Sequence, residues 1–160
     1  QWQSPSLWLV YGKAGQGKSY LAAQIASQVS TLVYVPTEEL PSKSMVRRFA
    51  IAGLINTHPD AIVIPATTVR QMAEHIEREC CLVIDSVTYS KLLATDLTAL
   101  LRSGPAMIIG TLQATKDGQF RGSNEFAHEA DVIIKVDQGE WEIEKNRYGS
   151  IGDTGEVQFQ

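Results

Sequence analysis

Cysteine is scarce in this chain, with two residues in 160, Cys80 and Cys81, side by side. Neighbouring residues on a strand point to opposite faces, and no zinc-like Cys/His cluster surrounds the pair, so buried thiols in a reducing, cytoplasmic setting are expected and metal held by protein thiols is not. Long apolar runs are missing too. The longest stop well short of the roughly 18 to 20 residues that span lipid. No basic leader with a small-residue cleavage site opens the chain, so neither export nor a membrane partner is expected. Positive charge is not in excess: 14 Lys and Arg against 18 Asp and Glu leave a net −4. Attraction to nucleic acid is therefore limited to a local basic surface. With no internal repeat and no low-complexity linker, 44% hydrophobic and 20% charged residues fit one globular domain over 1–160.

Periodicity supplies the order of elements. Leu7 to Tyr11 is apolar on both faces and ends at Gly12, as a strand buried inside a parallel sheet does. A helical period follows from Lys18 to Gln28, with Leu21 and Ile25 on one face and alanines at 22, 23 and 26. Leu32 to Val35 reads as a strand stopped by Pro36, Ser42 to Ile55 as a helix capped by Ser42, and Ile62 to Ile64 as a short edge. Thr68 with Gln71 three places on resembles a capping box for a helix turning Val69, Met72 and Ile76 inward. Cys80 to Ile84 is another buried strand, Ser90 to Arg102 a helix using Leu93, Leu97, Leu100 and Leu101, and Ala106 to Ile109 a further central strand. Asp131 to Val136, Trp141 to Lys145 and Glu156 to Gln160 read as closing strands added antiparallel. The sum is a layered α/β domain with a mostly parallel sheet.

Residues Gly12, Lys13, Ala14, Gly15, Gln16, Gly17, Lys18 and Ser19 match G-x-x-x-x-G-K-[ST] between a strand and a helix. The glycines let backbone N–H groups converge on an anion, Lys18 reaches the β- and γ-phosphates, and Ser19 binds Mg²⁺. Tyr20, next in the helix, completes the nucleotide-contacting run. Asp85 ends an apolar strand at the sheet edge where open α/β folds bind ligands, and is expected to position Mg²⁺ through water. Glu38 and Glu39 follow the neighbouring strand. Glu38 is favoured to orient the attacking water; the alternative is that both glutamates start a solvated helix.

With these residues placed, the chain resembles the RecA-type P-loop ATPases, and among them the ATPase core of the RadA (Sms) DNA-repair family. The likeness covers nearly the whole chain and includes Leu32 to Glu39, Val83 to Ser86, Thr115 to Gly118 and the more specific Lys145-Asn146-Arg147-Tyr148-Gly149. It implies a RecA-like fold, ATP and Mg²⁺ as cofactors, phosphate binding by Gly17, Lys18 and Ser19, metal positioning by Asp85, and catalysis by Glu38. Gln113 stands where relatives sense the γ-phosphate, a position at which RadA proteins typically carry histidine; the alternative is a polar residue leaving a strand. Lys145 and Arg147 share one side of a strand. In the family such cations act across a subunit boundary, which implies a homo-oligomeric ring or filament, with a hexamer among the options. A wet strand face is the plainer alternative for both.

The resemblance also implies single-stranded DNA as a partner, with Lys116, Arg121 and Lys91 near the contacting loops and Gly118, Gly122 and Asn124 loosening the stretch 115–125. Phe120 fits the core, an interface or base stacking equally. The chain departs from the family in lacking a four-cysteine zinc module and a Lon-protease-like domain, and in its short stretch between Asp85 and Ser90, which suggests a compact relative or an excised core. The leading expectation is a Mg²⁺-dependent ATPase that remodels or moves on single-stranded DNA. The alternatives are a nucleotide-regulated assembly protein and a P-loop small-molecule kinase, the latter without a recognisable arginine-rich lid.

Overall fold

The computed structural model describes residues 5–29, 31–120 and 124–160. In chain order these form β1 (Ser6–Gly12), α1 (Lys18–Ala26), β2 (Leu32–Pro36), α2 (Lys43–Ile51), α3 (Leu54–Thr57), β3 (Ile62–Val63), α4 (Val69–Ala73) and β4 (Cys81–Asp85). There follow α5 (Val87–Ser90), α6 (Ala94–Arg102), β5 (Met107–Gln113), α7 (Asn124–Glu129), β6 (Val132–Asp137), β7 (Glu140–Asn146) and β8 (Thr154–Glu156). The strands make one eight-stranded sheet in the order β3-β2-β4-β5-β1-β6-β7-β8. Every pairing from β3 to β6 is parallel, and β7 and β8 join antiparallel. The mostly parallel α/β architecture expected from the strand pattern is the one observed.

Burial on both faces explains why the central strands show no polar alternation. Leu9, Leu82 and Ile108 share one core with Met72 of α4 and with Leu97 and Leu100 of α6. Val10, Val83 and Ile109 share the other with Leu21 and Ala22 of α1, Met45 of α2 and Leu54 of α3. Cys80 and Cys81 divide between the two cores as free thiols, and burial pushes both up from the usual thiol range. Among the described residues no helix is long and apolar enough to cross a membrane.

Local signals place several elements. Thr68 Oγ1 accepts from Gln71 N at 3.3 Å while Gln71 Oε1 accepts from Thr68 N at 3.2 Å, the reciprocal capping expected for α4. Ser42 Oγ caps α2 by accepting from Met45 N at 3.3 Å.

Other expectations need correction. The helix read as Ser42 to Ile55 is two, because the chain turns at Gly53, where φ is 77°. The helix read as Ser90 to Arg102 is also two, divided at Lys91, whose φ is 58°. In consequence Leu92 is buried and Leu93, expected inside, is exposed. The strand read as Ala106 to Ile109 continues to Gln113 because Gly110 and Thr111 sit inside it, fully paired with β1. Of the three closing strands the first, β6, runs parallel to β1. The last is Thr154–Glu156, not Glu156 to Gln160, since Glu142 pairs with Thr154 and Trp141 with Gly155. The loosened stretch expected over 115–125 ends in a helix, since α7 begins at Asn124.

Candidate functional site

Strand β1 delivers the chain to Gly12 and α1 starts at Lys18, so the glycine-rich run is a strand-to-helix turn. Two glycines are sterically required. A Cβ on Gly12 would stand 2.3 Å from the Val136 carbonyl oxygen, so only glycine lets β6 lie this close to β1. Gly17 caps α1 at φ 108°, and its Cβ would be 2.8 Å from the Phe159 ring. Above Gly15, at φ 74°, a Cβ would meet nothing within 4 Å, leaving room over the bend.

Lys18 is buried, and its Nζ curls back to donate to the Lys13 carbonyl at 2.8 Å. Burial lowers its pKa from the usual lysine value, while the charges of Glu38 and Asp85 pull the other way. Gln16 accepts from the backbone N–H of Gln138, tying the bend to the turn after β6. Lys13 and Ala14 are exposed at its tip. Tyr20 packs against Phe159 with ring centroids 5.2 Å apart.

Asp85 ends β4 almost fully enclosed. Its Oδ1 accepts from Ser19 Oγ at 3.0 Å and from Thr111 Oγ1 at 2.7 Å. Its Oδ2 accepts from the Tyr34 hydroxyl at 2.7 Å, and Arg48 Nη1 lies 3.6 Å away. The structure therefore brings Ser19 and Asp85 together and adds Thr111, Tyr34 and Arg48, which sequence reasoning missed. Thr111 carried a signal: it lies two residues before Gln113 on a strand that is otherwise apolar, and so shares its face. Burial and the adjacent Asp85 carboxylate hold the Tyr34 hydroxyl well above its usual range, keeping it a donor.

Lys18, Ser19, Glu38, Asp85 and Gln113 line one cavity of about 240 Å³ beside Gly15. Glu38 is exposed, whereas Glu39 turns away to an ion pair with Arg48 at 2.9 Å. Gln113 also borders two neighbouring clefts, one with Tyr89 and Lys91, the other with Lys13 and Lys116. A larger concavity of about 560 Å³ runs along β6 to β8, but Asp137, Glu140, Glu142 and Glu156 ring it and would repel a phosphate chain.

Lys145 and Arg147 meet neither Lys18 nor Asp85. Lys145 Nζ donates to the Ala127 and His128 carbonyls at 2.7 and 3.2 Å. Arg147 donates to the same His128 carbonyl at 2.7 Å and to Asp131 Oδ1 at 2.9 Å. The two cations do share a side, at the C-terminal end of α7. Asp131 lies five strand positions before the Val136 level of the glycine bend, roughly 17 Å along the strand. Arg121 and Gly122 lie outside the described residues. Lys116 sits on a hairpin closed by the Ala114–Phe120 bridge, and Phe120 packs edge-on against Tyr11 with centroids 5.1 Å apart.

The residues fit a phosphate chain with a hard divalent cation. Space over Gly15 and the Lys18 ammonium suit an anion, and the Ser19 and Asp85 oxygens supply a partial oxygen shell of the kind Mg²⁺ completes with water and phosphate. No family model matches the chain, and no curated protein matches it. Among solved structures it is similar to the crystal structure of the RadB recombinase, with a TM-score of 0.68 over 97% of this chain and 87% of that one at 16% identity. The fold is RecA-like.

Proposed function

We propose that the protein is a Mg²⁺-dependent ATPase of the RadA type that works as a homo-oligomer and couples hydrolysis to remodelling of single-stranded DNA. The observation that carries this reading is the convergence of Lys18, Ser19, Asp85, Glu38 and Gln113 on one cavity beside the glycine bend. Backbone N–H groups of 13–19 and the Lys18 ammonium hold the phosphates. Ser19 and Asp85 would hold Mg²⁺, which would supply positive charge to offset that of the phosphates. Ser19 would supply one ligand to it, and Asp85, fixed by the hydroxyls of Thr111 and Tyr34, would help to hold it. Glu38 accepts a proton from the attacking water, and the Gln113 amide donates to the γ-phosphate.

Lys145 and Arg147 are too far from their own cavity for this role, so in this reading they reach the cavity of the adjoining protomer. An isolated subunit is then a slow ATPase. Gln113 borders the clefts bearing Lys91 and Lys116 as well as the phosphate cavity, which supports a DNA-responsive switch at the end of β5. The far placement of the two cations equally favours a nucleotide-regulated assembly protein with little turnover.

One experiment separates these readings: phosphate release and assembly mass measured together, with and without single-stranded DNA. Turnover that rises with DNA and with assembly is expected. Nucleotide-driven assembly with no DNA response would favour the second reading, and a monomer indifferent to both ligands would remove the motor.

A further inference from the structure

We propose that Arg48 is a positioning residue that aims Glu38, acting through Glu39 as one half of a two-point clamp. The proposal rests on the ATPase reading for its chemistry, though not for its geometry. Thr37, just before Glu38, is fastened to the end of β4: its N–H donates to the Asp85 carbonyl at 2.7 Å, its Oγ1 donates to the Ser86 carbonyl at 2.6 Å, and Ser86 N–H donates back to Oγ1 at 2.6 Å. Glu39, just after, is fastened to α2, where Oε1 accepts from Arg48 Nη1 at 2.9 Å and Oε2 accepts from Ser44 Oγ at 3.2 Å. Glu38 alone between them carries an exposed carboxylate, and it borders the phosphate cavity.

Arg48 suits this task because it is itself fixed. Its side chain is only 11% exposed, its guanidinium lies 5.7 Å from the centre of the Tyr20 ring, and the same Nη1 that holds Glu39 is 3.6 Å from Asp85 Oδ2. Burial works against its charged form, but the Asp85 and Glu39 carboxylates act in the opposite direction and the guanidinium stays ionised. Phe49, the next residue, packs edge-on against Tyr34 at 4.8 Å and anchors the helix from which Arg48 projects. One cation thus ties the loop carrying the water-orienting glutamate to the carboxylate that sets the metal, so the two cannot drift apart independently. Misplacement of about 1 Å at such a group can cost a hundredfold in rate.

The test combines a loop probe that needs no nucleotide with steady-state kinetics. A nitroxide is placed at position 38 through Glu38→Cys, the two buried native thiols serving as unlabelled background, and its mobility is compared with and without Arg48→Gln or Glu39→Gln. In proteins that keep Glu38, kcat and the Kd of a fluorescent ATP analogue are measured for the same substitutions. Both substitutions should mobilise the label and lower kcat about ten- to a hundredfold with Kd held within about twofold, and Arg48→Lys should recover only part of the rate. An unchanged label spectrum in both variants, or kcat and Kd failing in step, would overturn the proposal. Should Arg48→Gln not fold, Glu39→Gln cuts the same bridge from its more exposed end. A wild type without turnover would sink the ATPase reading alone, since the label reports on the loop regardless.

Discussion

The Ser19 hydroxyl donates to Asp85 Oδ1 at 3.0 Å, so residues 66 positions apart in sequence are already joined where both are proposed to serve one metal. Thr111 and Tyr34 complete the arrangement with two further hydroxyl donors. A carboxylate with this many donors is held in one rotamer, which fixes the direction in which it offers its remaining lone pairs.

Asp85→Asn should therefore do two things at once. Replacing a charged acceptor by an amide leaves at least one of the three hydroxyls poorly matched, a loss of roughly 1–3 kcal/mol. In a chain of this size that lowers the melting temperature by roughly 2–4 °C per kcal/mol. Binding of a fluorescent ADP analogue should survive in EDTA but no longer tighten with Mg²⁺, and a variant that kept its full Mg²⁺ dependence would remove Asp85 from the metal site.

Gly17→Ala imposes both a left-handed alanine and a clash with the Phe159 ring. Backbone strain of this kind costs roughly 1–3 kcal/mol, and nucleotide binding should fall with it. The additional substitution Phe159→Ala should relieve the clash and leave the strain. Urea denaturation of the two single variants and the double variant would reveal this as a non-additive gain; strict additivity would show that the ring moves aside.

Lys18→Met should abolish nucleotide binding yet stabilise the protein near neutral pH. The lysine pKa is lowered by burial, so the unfolded chain holds its proton more tightly and wild-type stability rises with pH between the folded value and the unfolded value near about 10.4. The advantage of the methionine variant is then greatest at neutral pH and fades as pH approaches that upper value. Urea midpoints across pH 7 to 10.5 read this directly, and a variant less stable than wild type at pH 7 would contradict it.

Arg147→Ala should leave a folded protein, because Arg147 is half exposed and the buried Asp131 carboxylate keeps the Leu7 N–H as a partner at 2.8 Å; the loss should not exceed roughly 1.5–3 kcal/mol. If Arg147 serves a neighbour, Lys18→Met and Arg147→Ala proteins, each inactive alone, should regain partial turnover when mixed, since some interfaces then combine an intact cavity with an intact arginine. No recovery at any mixing ratio would confine Arg147 to its contacts with α7.

Much of this was legible because it depends on local patterns. The bend at 12–19 is a contiguous motif, the Thr68 and Gln71 capping pair spans four residues, and the two-sided apolarity of Leu82 to Ile84 reads directly as a buried parallel strand. What escaped depends on distant partners. Arg48, with Arg47 beside it in a helix, resembles a solvated cation until Glu39 and Asp85 are seen on either side of it. Tyr34 looks like one more apolar strand residue until its hydroxyl meets Asp85. The strand at 154–156 is set by pairing with Trp141 and Glu142, and nothing in its Thr-Gly-Glu sequence demands it. The break at Lys91 escaped because Leu93, Leu97, Leu100 and Leu101 keep a helical spacing that conceals a left-handed residue just before them.

The position of β1 between β5 and β6 has a consequence for amide exchange. Both edges of this strand are occupied along Trp8 to Tyr11, so its N–H groups cannot meet solvent by the peeling of a single outer strand. Deuterium uptake at Leu9 and Val10 should follow opening of the whole molecule, while β3 and β8 at the margins trade protons early. The scaffold beneath the phosphate bend would thus be the last part of the protein to loosen, letting the bend itself adjust without unsettling what carries it.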